Sequence, residues 1–246
     1  MIKHNKRLGV NIDHIATLRT NRKTDYPSLV QAVHIAEENG ADLITIHLRE
    51  DRRHIQDQDV IDIRAHASVL NLEMALTDEM INICNNIKPD YCCIVPEKRK
   101  ELTTEGGLDL LNMSNNQFNF LVDSIDRIHQ NGIVVSLFID PEIDQIKKCI
   151  ESGAKCIELH TGSYANAKNS IEKNVELQRI KDAANFAASC NLQVHAGHGL
   201  NLSNLADICK ISPIEELNIG HAIIADSIFK GFEKTIKDYR SAINND

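Results

Sequence analysis

Short β-rich runs alternate with longer amphipathic segments along the whole chain, and this alternation limits the possible folds more than any other feature. Eight strand candidates lie near Leu8–Asp13, Leu43–Leu48, Leu70–Met74, Tyr91–Val95, Val134–Ile139, Cys156–His160, Gln193–Ala196 and Leu217–Ile219. Helical patterns occupy Ser28–Asn39, Asp78–Ile87, Phe118–Asn131, Asp144–Ser152, Ile171–Cys190 and Asn201–Lys210, and Ser227–Ala242 closes the chain. Strands joined by helical crossovers run parallel, and eight such units close on themselves, so the expected fold is α/β, a single (β/α)8 TIM barrel. Linkers are short and no Pro/Gly/Ser-rich tract divides the sequence, so residues 1–246 read as one catalytic domain. An internal repeat agrees. Glu38-Asn-Gly-Ala-Asp-Leu-Ile-Thr-Ile-His47 aligns without gaps with Glu151-Ser-Gly-Ala-Lys-Cys-Ile-Glu-Leu-His160, pairing unit two with unit six. Gly-Ala is also a common helix-to-strand turn, because glycine suits the position just after a helix. The matched terminal histidines are the more specific part.

Side chains alternate faces along a strand, so each strand divides into a set facing the helices and a set facing the barrel axis. Val10 and Ile12 oppose Asn11 and Asp13. Ile44 and Ile46 oppose Thr45 and His47, and Leu70, Leu72 and Met74 oppose Asn71 and Glu73. Ile157 and Leu159 oppose Glu158 and His160, Val194 and Ala196 oppose His195, and Leu217 and Ile219 oppose Asn218. The apolar set must face the helices, which leaves a polar interior where packing alone would favour Val, Ile and Leu. An unpartnered buried polar group costs roughly 1–3 kcal/mol, so this many must be paired or put to use. An antiparallel sheet with one wet face gives the same alternation at no cost, but the long crossovers argue against it.

Barrels of this type carry their active sites at the C-terminal strand ends. Those positions hold Asp13-His14, His47, Glu73, His160, Gly197-His198-Gly199 and Gly220-His221, a set of acids and bases able to transfer protons near neutral pH. Basic residues follow strands one, two and four: Arg19, Arg22 and Lys23; Arg49, Arg52 and Arg53; Lys98, Arg99 and Lys100. In a chain of net charge −8, with 27 Lys+Arg against 35 Asp+Glu, a local basic face implies small anionic substrates and not nucleic acid. Glycine-rich turns at Thr103–Gly107, Gly197–Gly199 and Gly220–Ala222 suit phosphate, the last two leading toward helix N-termini. The seven cysteines contain no C-x-x-C pair and read as reduced thiols of a cytoplasmic protein. The N-terminus lacks a signal-peptide apolar region, and no stretch is long enough to span a membrane. His195-x-x-His198 with His47 and Asp13 offers donors for a metal, but without zinc-like spacing. No lysine sits inward near the rim to form a Schiff base. A metal-dependent phosphosugar epimerase or aldolase and a non-catalytic phosphate-ligand binder therefore stand beside a cofactor-free acid/base enzyme.

The residues closely resemble the pyridoxine 5′-phosphate synthase family across nearly the whole chain. The matching strings are Gly9-Val-Asn-Ile-Asp-His-Ile-Ala-Thr-Leu-Arg19, His47-Leu-Arg-Glu-Asp-Arg-Arg-His54, Asn71-Leu-Glu-Met-Ala75, Val95-Pro-Glu-Lys-Arg99 and Thr103-Thr-Glu-Gly-Gly-Leu-Asp109. They continue with Ser136-Leu-Phe-Ile-Asp140, Ile157-Glu-Leu-His-Thr-Gly162, Ala196-Gly-His-Gly-Leu200 and Glu216-Leu-Asn-Ile-Gly-His-Ala-Ile223. The resemblance implies condensation of 3-amino-2-oxopropyl phosphate with 1-deoxy-D-xylulose 5-phosphate to pyridoxine 5′-phosphate, inorganic phosphate and water, with no metal or other cofactor. It implies His47 and Glu73 as proton acceptors, His198 as proton donor and Glu158 as transition-state stabiliser. Asn11, Arg22, Gly199, Gly220 and His221 would hold the amino-ketone phosphate or product, and Asp13, His14, Arg49, His54 and Thr103 the deoxyxylulose phosphate. It further implies extra helices, assembly into octamers through dimers, and a closing loop over Glu97–Asp109. One departure is His195, where the family usually carries asparagine; an inward imidazole there is expected to influence the protonation of His198.

Overall fold

The computed structural model describes residues 6–97 and 106–244. In chain order the elements are β1 (Arg7–Asn11), α1 (Asp13–Arg22), α2 (Leu29–Glu38), β2 (Leu43–His47), α3 (Asp57–His66), β3 (Leu70–Met74), α4 (Asp78–Ile87), β4 (Tyr91–Ile94) and α5 (Asn115–His129). There follow β5 (Val134–Ile139), α6 (Ile143–Glu151), β6 (Cys156–His160), α7 (Gly162–Ala165), α8 (Ser170–Ser189), β7 (Gln193–Gly197), α9 (Leu205–Cys209), β8 (Ile214–Ile219), α10 (His221–Lys230) and α11 (Phe232–Asn244). All eight strands pair in parallel in sequence order. β8 closes onto β1 with Leu8 opposite Leu217 and Gly9 opposite Asn218, completing the TIM barrel.

Local chemistry sets the helix starts. Ser28, Thr77, Ser114 and Asn169 accept backbone N–H groups at the N-termini of α2, α4, α5 and α8, and Gln117 completes a capping box with Ser114. The repeat's glycines, Gly40 and Gly153, end α2 and α6 at φ +116° and +82°, where a Cβ would be strained.

The outward strand residues are sealed under the helices. Val10, Ile12, Ile44, Ile46, Leu70, Leu72, Met74, Ile157, Leu159, Val194, Ala196, Leu217 and Ile219 are at most 2% exposed. Each large one contributes about 1.5–3 kcal/mol of burial. The inward set is polar, as parity requires. Thr45 Oγ1 donates to Asn218 Oδ1 (2.9 Å), and Asn218 Nδ2 donates to Glu158 Oε2 (2.9 Å) and Glu216 Oε1 (3.1 Å). Space for this network comes from missing side chains: a Cβ on Gly9 would lie 2.0 Å from Asn218 Oδ1.

Several boundaries differ from the pattern reading. Helices α1 and α3 occupy stretches that showed no clear apolar stripe, since α1 buries only Asp13 and Ala16 and α3 buries Asp59, Val60 and Ile63. The expected helix Ser227–Ala242 is two helices, broken at Gly231 with φ +82°. Strand β1 ends at Asn11 and α1 begins at Asp13, so Asp13 and His14 stand on the first turn of a helix. The helix expected over Asn201–Lys210 contracts to α9, so Gly199 does not lead directly into a helix N-terminus and packs instead on α7, where its Cβ would lie 2.7 Å from that of Ala165.

Candidate active site

Around the C-terminal rim, six histidines meet in three edge-on pairs: His14 with His221 (5.0 Å between ring centroids), His47 with His54 (6.3 Å) and His160 with His198 (5.0 Å). Asp13 organises the first sector. Its Oδ1 accepts the backbone N–H of His47 (2.9 Å), its Oδ2 accepts from Asn11 Nδ2 (2.9 Å), and its own N–H donates to Asn11 Oδ1 (2.9 Å). The tips of β1 and β2 are thereby locked together. Gly220 fits against Asn11 because a Cβ there would come within 2.9 Å of the asparagine Cβ. His221 begins α10 and faces His14, whose pKa is lowered by burial and then by that neighbour.

His47 lies between two carboxylates. Its Nδ1 is 3.9 Å from Glu73 Oε2 and its Nε2 is 3.5 Å from Glu97 Oε2. Glu97 also accepts from the Glu50 N–H (3.0 Å) and faces Arg49 Nε (3.6 Å), and Arg49 is only 3% exposed. Burial pulls the His54 pKa down, with Asp13 opposing and His47 assisting. Burial pushes Glu73 well above the usual carboxylate range, and Glu158 and Asp13 push the same way. Glu158 is raised to about 7 by burial, with His195 pulling down and Glu216 pushing up. Carboxyls raised in this way hold their protons to higher pH than ordinary carboxylates, which is what general acid/base work needs. Gly197 makes room for Glu158, since a Cβ there would lie 2.2 Å from Oε1.

His198 sits in the left-handed region at φ +78°, which is rare outside glycine. Thr161 holds it there: its Oγ1 hydrogen-bonds the carbonyls of Gly197 (2.8 Å) and His198 (2.6 Å), and its N–H donates to Gly197 O (2.9 Å). Burial, with His160 second, lowers the His198 pKa to about 4.

Not every expectation converges here. Arg22 is exposed at the far end of α1, about 13 Å along the helix axis from Asp13, so within one chain it is not brought to the rim. Thr103 and the run Lys98-Arg99-Lys100 lie outside the described residues, as does most of the loop expected to close. Of the described basic residues after β1 and β2, Arg49 alone is buried in the site. Arg19 pairs with Asp59, Arg52 with Asp57 and Glu79, and Arg53 with Asp51, so the basic face is largely an ion-paired rim. The expectation for His195 is corrected as well. Its Nδ1 is 3.1 Å from Glu216 Oε1 and its Nε2 3.3 Å from Arg7 Nη2, mid-strand and level with Glu158 on β6. The charges acting there reach Glu158, not His198. Glu97 and Asp140 escaped the sequence reading, although each lies within three residues of a strand end inside a matched string. Among the described residues, no cluster of three or more His, Cys, Asp or Glu side chains is arranged to hold a metal ion.

Residues 8–245 match the model of the family "Pyridoxal phosphate biosynthesis protein PdxJ". The chain belongs to the PdxJ family. Pyridoxine 5′-phosphate synthase of Blochmanniella pennsylvanica is 52% identical over 242 residues, covering 98% of each chain. That of Coxiella burnetii (strain Dugway 5J108-111) is 52% identical over 238 residues, covering 96% of this chain and 98% of its own. Membership of the PdxJ family makes this chain an enzyme of pyridoxal phosphate biosynthesis. The tryptophan synthase A-subunit of Pyrococcus furiosus shares the barrel at a TM-score of 0.62 with 11% identity, covering 100% of both chains, which speaks for the fold alone. Among the described residues, no helix is long and apolar enough to cross a membrane.

Proposed function

We propose that this PdxJ protein condenses 3-amino-2-oxopropyl phosphate with 1-deoxy-D-xylulose 5-phosphate, giving pyridoxine 5′-phosphate, inorganic phosphate and water. The observation that carries this reading is the convergence of His47, Glu73, Glu158 and His198 over one polar barrel mouth, with two carboxyls raised by burial. Imine formation, phosphate elimination, dehydration and ring closure each move a proton, so several acids and bases of different strength are needed. His47 and Glu73 take protons in different steps, and at 3.9 Å Glu73 favours the imidazolium on His47 only in the steps where it is itself ionised. His198 gives a proton to a leaving oxygen. Glu158 stabilises positive charge developing on the substrate while it is ionised, and its pKa of about 7 makes that role pH-dependent.

The anions fall to two sectors. Asn11, Gly199, Gly220 and His221 receive the amino-ketone phosphate, using the N-terminus of α10. Asp13, His14, Arg49, His54 and Thr103 receive the deoxyxylulose phosphate. The same reading carries cytoplasmic location and octameric assembly, and Ile228 and Phe229 of α10, 69% and 90% exposed, are suited to an interface between copies. Incubating the purified protein with both phosphates, with and without divalent ions, is expected to yield pyridoxine 5′-phosphate and one phosphate per turnover. Glu73→Gln and His198→Asn are expected to lower kcat about 100-fold or more with little change in KM. A folded protein that makes no product under either condition overturns the proposal.

A further inference from the structure

Two of the three rim histidine pairs are absorbed by the proposed substrate contacts, but His160, partner of His198, has no role in that reading. It is not a surface residue: 9% of it is exposed, and its Nε2 is buried with no hydrogen-bond partner among the described residues. Such an atom is costly to keep and calls for a reason. The other ring nitrogen is committed. Nδ1 lies 2.8 Å from Asp140 Oδ1, an oxygen that also accepts the Gly107 N–H (3.3 Å). The carboxylate therefore accepts from Nδ1–H in the neutral and in the charged ring alike, and aims Nε2 away from itself.

Gly162, the first residue of α7, lies over the gap between the rings. A Cβ there would come within 2.4 Å of His160 Nε2 and 3.2 Å of His198 Cδ2, so glycine lets the two imidazoles approach. The internal repeat places His160 at the strand-end position that His47 occupies on β2. The pair is faced by Asp140 at the end of β5, by the Phe138 ring (5.3 Å from the His160 centroid) and by Gly162 on α7. Arg179 of α8 acts on Asp140 and is itself engaged with Glu142 and Glu176.

Resting on the reading of His198 as proton donor, we propose that His160, oriented by Asp140, is a positioning residue for that step. The two imidazoles share one proton beyond those of two neutral rings, and Asp140 keeps it on His160 until an anionic substrate draws it to His198. Two imidazolium charges 5.0 Å apart repel, so protonating one ring opposes protonating the other. The Asp140 carboxylate stands on the His160 side of the pair, 2.8 Å from Nδ1. A phosphorylated substrate brings negative charge to the other ring; His160 then loses a proton as His198 gains one, and the total on the pair is unchanged. The donor is thus armed only in the complex.

Histidine side-chain NMR of the full ¹⁵N-His-labelled chain tests this without turnover, the His198 resonances being assigned by their loss in His198→Asn. In Asp140→Asn and in His160→Gln, the His198 titration midpoint is expected to rise by about one pH unit from its value in the unsubstituted protein. Inorganic phosphate added to the unsubstituted protein is expected to raise it too. A midpoint unmoved in a folded variant, or indifferent to phosphate, overturns the proposal. Asp140→Asn is isosteric and carries the test alone should His160→Gln fail to fold. With both substrates, Asp140→Asn should shift the acid limb of the kcat profile and leave KM near its original value. Absence of pyridoxine 5′-phosphate formation by the unsubstituted protein would overturn the synthase reading and leave the titration result standing.

Discussion

Single atoms decide much of the chemistry at this rim. Glu158 and Gly197 are the clearest pair, because the carboxylate occupies the space where a Cβ would be. Gly197→Ala is expected to displace Glu158, cost about 1–3 kcal/mol through overpacking, and lower kcat far more than stability alone would explain. Thermal unfolding together with steady-state kinetics on the folded variant checks both parts. His195, the register partner of Glu158 on the next strand, acts on the same carboxylate. Against the burial that would lower it, Cys156 and Glu216 push His195 well above the usual histidine range, and its charge favours ionised Glu158. His195→Asn should therefore raise the pKa assigned to Glu158, moving the corresponding limb of the kcat/KM profile to higher pH. An unmoved limb would show that the two groups do not communicate.

At the scale of elements, the connection from β6 to α7 and the turn after β7 form one unit. Thr161, fully buried, ties them by hydrogen bonds to the Gly197 and His198 carbonyls. Those bonds hold His198 in a backbone conformation that costs about 1–3 kcal/mol for a residue other than glycine. Thr161→Val removes the hydroxyl with little change in volume. It is expected to cost about 1–3 kcal/mol and to lower kcat more than it raises KM, since the imidazole loses its direction. Denaturant unfolding measures the first effect and initial rates the second. The strands and their parity were legible because two-residue alternation survives in each, from Val10 and Ile12 to Leu217 and Ile219. Helix α1 was not. Its role is to carry Asp13 and His14 and to pair Arg19 with Asp59, and such a helix shows little apolar stripe.

For the whole molecule, the site imposes opposing demands on stability. Glu158 has its pKa raised from 4.5 to about 7, so the folded state binds the extra proton and stability from this group is lost as pH rises through 7. His198 has its pKa lowered from 6.5 to about 4, so its contribution is full above 6.5 and lost as pH falls through 4. The two trends offset each other. Glu158→Gln should therefore stabilise the protein relative to the unsubstituted chain by an amount that grows from pH 4.5 to 7, reaching on the order of 3 kcal/mol. His198→Asn should show a difference growing in the opposite direction as pH falls. Calorimetry across this range checks both, and parallel curves for the variant and the unsubstituted chain would contradict the linkage.

The sequence by itself determined the barrel, the inward placement of Thr45, Asn71, Glu158 and Asn218, and the histidines at the strand ends. These follow from local periodicity, and periodicity is written in consecutive residues. Tertiary structure decided which groups meet: Asp140 with His160, Glu97 with His47, His195 with Glu216. Each pair joins different strands or the loops after them, and only closure of the sheet fixes their register and their depth along the axis. The five strand-end histidines that the sequence placed on a common rim, joined by His54 from the loop after β2, became three edge-on pairs, and the charge around each pair, rather than the residue type, sets what each ring can do.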